Sequence, residues 1–141
     1  RDPEIIYFDN REHLKEFLHK LEQLSEQIVL VFKDYGIKPV KNWFLRLIGY
    51  GSTDWQQESC FLLSWCDDFA TLTFFDKYDS QYCVLSKPQT PEVPMEIRQK
   101  LGEGEPVPLD ECLPKSVAFA AAREFLDTET RPNWLWYRYV R

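Results

Sequence analysis

The sequence predicts an α+β fold: one domain spanning residues 1–141, with a mainly antiparallel sheet of about five to seven strands and two principal helices packed on one face. Two stretches far apart in the chain carry apolar residues at three- and four-residue spacing, the mark of an amphipathic helix. Between them lie short β-branched and aromatic runs punctuated by glycine and aspartate, which read as strands joined by tight turns. A chain of 141 residues buries about two thirds of its unfolded surface, enough for one ordinary core.

Leu14, Phe17, Leu18, Leu21 and Leu24 alternate with Glu12, Lys15, Glu16, Lys20 and Glu22, giving a helix over roughly residues 10–25 with Asn10 as its N-cap. The run from Ile28 to Phe32 is β-branched and too continuous for an exposed helical face. It reads as a buried strand ending at Tyr35-Gly36, with continued helix as the competing reading. Trp43–Ile48, Ser59–Trp65 and Phe69–Phe75 read as three adjacent antiparallel strands. In the last of them Phe69, Thr71, Thr73 and Phe75 share one face while Ala70, Leu72 and Phe74 share the other. One face then calls for a cover of helices, and the other is expected to be an aromatic surface open to a partner. Asp67-Asp68 falls at a turn between two strands, where aspartate is favoured for local reasons.

Five prolines and two glycines between residues 86 and 108 predict an irregular connection. Val117, Ala121 and Phe125, flanked by Ala118, Ala122 and Leu126, mark a second helix from about residue 111 to 127, with Pro114 near its start and Asp110 and Glu111 at the positive end of its dipole. Trp134–Val140 reads as a final strand, and no internal repeat or low-complexity tract occurs.

The apolar share of 44%, the charged share of 28% and the aromatic share of 16% describe a globular protein. Its net charge of −6 and the lack of any basic run leave no electrostatic footprint for a nucleic acid. The charge is uneven. Residues 1–50 balance, residues 51–111 sum to −8 and residues 112–141 to +2. A locally acidic, aromatic-rich surface steers a basic partner; the plainer account of such charge is solubility.

No signal peptide or long apolar stretch is present, although the chain starts at Arg1 without Met, so a cytoplasmic location and no membrane partner are expected. Cys60, Cys66, Cys83 and Cys112 lack the paired spacing of a zinc knuckle or a redox motif, and read as reduced, buried small hydrophobes. His13 and His19, six apart on a helix, fall on different faces and do not pair for metal ligation. Neither a dinucleotide fingerprint nor a P-loop, a zincin helix or a nucleophile elbow occurs, and Gly102-Glu103-Gly104-Glu105 repels phosphate. These readings assign no catalytic residue, no metal and no cofactor. One enzymatic alternative stands: a small hydrolase or ligand-binding domain using Asp67 with Asp68, or Asp76 with Asp79, as an acid/base pair in a pocket. Turn chemistry and surface charge account for the same residues.

The C-terminal portion, from Val107-Pro108-Leu109 through Leu113-Pro114, Ala118–Phe125, Asp127-Thr128 and Arg131-Pro132 to the strand bearing Trp136, resembles the first-numbered family of bacterial polymorphic-toxin immunity proteins. The Leu47-x-Gly49-x-Gly51 strand end, Ser64-Trp65 and Asp68–Leu72 stand in the order expected of that family, so the resemblance covers about residues 43–140. Residues 1–42 match only in layout. The resemblance implies a non-catalytic α+β protein that binds and neutralises a cognate toxin domain, often a nucleic-acid deaminase or nuclease; the sequence leaves the oligomeric state open, with a monomer or a 1:1 complex favoured. One departure is Glu129, where such sequences commonly place the glycine that ends the long helix. The family's toxin contacts vary, so no site residue carries over. The acidic middle segment instead nominates Asp67, Asp68, Asp76, Asp79, Glu103 and Glu105 as charges facing a basic toxin, with Trp43, Tyr50 and Trp55 as aromatic anchors.

Overall fold

The structure, a computed structural model, describes residues 5–40, 59–76, 80–86 and 92–140. The described residues form eight strands, β1 (Ile6–Tyr7), β2 (Glu26–Phe32), β3 (Gly36–Pro39), β4 (Ser59–Cys66), β5 (Phe69–Phe75), β6 (Gln81–Leu85), β7 (Leu113–Pro114) and β8 (Trp136–Val140). They form one sheet in the order β1-β3-β2-β4-β5-β6-β8, with β7 pairing separately to β5, and every described pairing is antiparallel. The helices are α1 (Arg11–Leu21), α2 (Met95–Leu101) and α3 (Lys115–Thr128), with a 3-10 turn at Leu109–Glu111. The α+β class and antiparallel sheet match expectation; the eighth strand comes from counting the two-residue pairings β1 and β7.

Alternation along β4 and β5 divides the interior. Phe61, Leu63, Trp65, Ala70, Leu72 and Phe74 face α1 and α3, where Leu14, Leu18, Phe119, Ala122 and Leu126 meet them. Aromatic rings lock this layer: Trp65 meets Phe119 edge-on at 4.9 Å, and Phe125 lies 5.1 Å from Phe74 and 5.9 Å from Phe61. A register shift between Val31 and Phe32 makes Cys60 the extra residue on β4, so Cys60 and Phe61 both join the helical side.

The opposite face is not an open aromatic surface. Ile28, Leu30, Phe32, Leu62 and Phe75 are buried there, and α2 brings Leu101 onto Cys66 and Cys112, with Phe69 packed against them. Helix α2 lies in the stretch expected to be irregular. It begins just after Pro94 and ends at Gly102, where a Cβ would stand 1.9 Å from the Glu105 carbonyl oxygen, so only glycine fits.

Several boundaries differ from expectation for local reasons. Asn10 caps α1 as expected, its side chain accepting the His13 N–H at 3.0 Å, but the helix ends at Leu21 and leaves Leu24 exposed. Helix α3 starts at Lys115 rather than near residue 111, because Leu113-Pro114 is extended and paired to Phe69 and Ala70. Asp110 and Glu111 therefore do not serve its dipole; both hold Arg138. The strand after α1 is real, and Tyr35, in a left-handed conformation at φ 64°, turns the chain into β3 instead of ending the sheet there. The place beside β4 expected for Trp43–Ile48 belongs to β2, and that segment lies outside the described residues. Among the described residues no helix is long and apolar enough to cross a membrane.

Candidate functional site

The nominated carboxylates fall at two ends of the sheet. Asp67 and Asp68 make the two-residue turn between β4 and β5, both exposed, with Asp67 in the left-handed region at φ 54°. The turn is braced, since the Asp67 N–H donates to the Ser25 carbonyl at 2.7 Å and the Lys115 N–H donates to the Asp68 carbonyl at 2.8 Å. Beside it the chain of α2 is tied to β4 by the Ser64 hydroxyl, which donates to the Leu101 carbonyl at 3.1 Å. That bond sets the turn carrying Glu103 and Glu105 at the same end, both residues exposed. Glu103 at φ 54° and Gly104 at φ 107° make this second turn tight, and the Gly104 N–H returns to the Gln99 carbonyl at 2.7 Å.

Glu26, opposite Cys66 in the ladder, and Glu96 on α2 extend this acidic end. Lys100 reaches Glu26 at 4.0 Å, and the Lys115 ammonium donates to the Leu24 carbonyl at 3.1 Å and lies 5.9 Å over the Trp65 ring. Burial, then Asp67 and Glu26, push the Cys66 thiol up, a local sign of the same field. Two turns with fixed backbones thus present carboxylates to solvent.

Asp76 is elsewhere. It follows β5, and seven residues of strand separate it from Asp68, roughly 25 Å of rise. There it lines an open cleft of about 740 Å³ whose walls include Lys33, Glu129, Phe125 and Tyr137. The Arg131 guanidinium lies 3.5 Å over the Tyr82 ring and 4.9 Å from that of Tyr137. The Tyr137 hydroxyl donates to the Pro132 carbonyl at 2.6 Å, and burial pushes its pKa up to about 12. Asp79, Trp43, Tyr50 and Trp55 lie outside the described residues.

Of the four carboxylates in the acid/base alternative, Asp76 lines a cleft, and its partner Asp79 lies outside the described residues. Asp67 and Asp68 line neither the large cleft nor the smaller apolar one that adjoins it through Lys33, Phe75, Phe125 and Glu129. All four cysteines are buried and unbridged. Burial pushes the thiols of Cys60 and Cys112 up to about 12 and about 11, away from the thiolate form that nucleophilic or metal chemistry requires. Among the described residues no cluster of three or more histidine, cysteine, aspartate or glutamate side chains is placed to hold a metal ion.

Sequence reasoning missed where the described aromatics are exposed. Trp134, Trp136 and Tyr139 stand at 49%, 62% and 58% exposure along β8 and the turn before it. Their alternation was legible; that β8 ends the sheet among the described residues was not, because edge position belongs to topology. The departure at Glu129 also resolves: the residue adopts φ 60° and ψ 20°, its N–H donating to the Phe125 carbonyl at 2.7 Å, so α3 ends in a left-handed cap without glycine. No protein-family model matches the chain, and no curated protein matches it.

Proposed function

We propose that this chain is an immunity protein that binds and neutralises a cognate toxin domain, using the acidic end formed by the β4–β5 turn and the turn after α2. The observation that carries the reading is the placement of Asp67, Asp68, Glu103 and Glu105 on two braced, exposed turns at one end of the sheet. A toxin that acts on nucleic acid presents a basic cleft, because its substrate carries one charge per phosphate. A rigid acidic end competes for that cleft, and the fixed backbone keeps the cost of ordering low on binding. The C-terminal resemblance supports the same partner class. The role needs no catalytic group or cofactor, and belongs in the cytoplasm of the cell that must be protected.

The test is capture and protection. The full chain is expected to bind the small C-terminal domain of a secreted toxin encoded beside it, in a 1:1 complex, and to rescue cells expressing that domain. Asp67→Lys with Asp68→Lys should slow association about tenfold at low salt and weaken rescue. Unchanged binding and rescue would remove this turn from the interface; failure to bind any such domain would remove the function.

A further inference from the structure

Among the described residues, strand β8 is the last strand of the sheet. One edge is paired to β6 through all five residues, from Gln81 opposite Val140 to Leu85 opposite Trp136. Among the described residues no backbone hydrogen bond reaches the other edge. Alternate N–H and C=O groups of a strand turn to each side, so this edge offers a row of donors and acceptors. Edge strands are ordinarily guarded by proline, by free lysine or by a bulge. Strand β8 has none of these in Trp136-Tyr137-Arg138-Tyr139-Val140, and its register to β6 is unbroken. Its one charged side chain, Arg138, is already engaged by Asp110 and by Glu111, the latter at 2.6 Å. Trp136, Tyr139 and Val140 are exposed at 62%, 58% and 40%.

The geometry points to a second copy of this chain as the occupant, paired antiparallel along β8 about a two-fold axis at Arg138. The strand is self-complementary about that residue. In this register Trp136 lies opposite Val140 of the other copy and Tyr137 opposite Tyr139, so every flanking pair is aromatic with aromatic or aromatic with β-branched, the pairs that best stabilise antiparallel sheets. Alternation keeps each pair on one face: Trp136, Arg138 and Val140 on the side of the 3-10 turn, Tyr137 and Tyr139 on the helical side. Shifting the axis by one residue sets Trp136 or Val140 against Arg138 and leaves part of the strand unpaired. The two Arg138 side chains that meet at the axis each bring two carboxylates, so like charges do not oppose each other bare. A two-fold interface joins the sheets of both copies into one and leaves both acidic ends free.

Sedimentation equilibrium on the full chain tests this, with folding followed by circular dichroism. At about 0.1 mM the 16.9 kDa chain should run at twice its mass. Trp136→Lys should raise the dissociation constant tenfold or more, and Trp136→Lys with Val140→Lys should leave monomer only. Because the register sets residue 136 against residue 140, Trp136→Lys with Val140→Glu should restore the dimer, which separates loss of pairing from loss of fold. A monomeric wild type overturns the inference, as does a double lysine variant that still dimerises or a charge-paired variant that does not. A monomer in which the same substitutions weaken toxin capture also overturns it, and assigns the edge to a strand of the toxin. A dimer that captures no toxin upholds this inference while removing the proposed function.

Discussion

Glu129 holds a backbone conformation that costs an L side chain about 1 kcal/mol or more, and it closes α3 three residues before Pro132, whose carbonyl accepts the Tyr137 hydroxyl. Glycine carries no such penalty, though it has more freedom to lose on folding. Glu129→Gly should therefore stabilise the fold by about 0.5–1 kcal/mol in urea denaturation, and a destabilised variant would mean that the Glu129 side chain contributes more in the cleft than the conformation costs. The buried thiols make a pH-dependent statement at the same scale. Cys60 is raised from 9.0 to about 12 by burial, with Lys33 opposing, and Cys83 is also raised. A raised thiol keeps its proton in the folded chain and loses it in the unfolded chain. Its contribution is thus complete below pH 9 and lost as pH rises from there toward 12. Each such thiol adds about 1.4 kcal/mol of lost stability per pH unit in that window. Cys60→Ala should cost stability at pH 8 through its cavity, yet flatten the slope between pH 9 and 11; parallel slopes in wild type and variant would refute the assignment.

Strand β8 is joined to the body by its ladder to β6, by the packing of Tyr137 against the core and by an ionic fork, in which Arg138 bridges to Asp110 and Glu111 on the 3-10 turn. The fork also anchors the segment between α2 and α3. The guanidinium is partly exposed, so solvent screens it, and Arg138→Met should cost only about 1 kcal/mol, less at high salt. A thermal melt showing the same loss at low and high ionic strength would point to packing of the side-chain stem instead. Elements of this kind separate what was legible from what was not. Helix α1 was readable because Asn10, Leu14 and Leu18 combine a cap with a periodic face, and β4 and β5 because two aspartates interrupt long apolar runs. Helix α2, with seven residues, and strands β3 and β6, with four and five, have too little local signal; Leu101 and the paired backbone hold them through contacts distant in sequence. The same limit applies to the site. That Asp67 and Asp68 make a turn follows from their neighbours, whereas their separation from Asp76 follows from the direction and length of β5.

For the whole molecule, the net charge of −6 acts through its placement. Asp67, Asp68, Glu103 and Glu105 share one end, while the far end mixes Asp76 and Glu129 with Lys33 and Arg131 along the cleft. A basic partner approaching by diffusion feels the first end as a concentrated field and the second as nearly balanced, and the roughly 25 Å between them exceeds the screening length at physiological salt. Steering should therefore depend on which end is altered, even when the total charge change is the same. Glu103→Lys with Glu105→Lys should slow association with the toxin domain about as much as reversing Asp67 and Asp68, with little change in dissociation. Asp76→Lys with Glu129→Lys should leave the association rate within about twofold of wild type. Stopped-flow measurements across a salt series decide the matter: the penalty at the first end should vanish as salt approaches about 1 M, where the Debye length is shorter than a side chain. Equal slowing from both ends would mean that only net charge matters, and a penalty that survives high salt would mean that the substituted carboxylates make direct contacts in the complex rather than guide its formation.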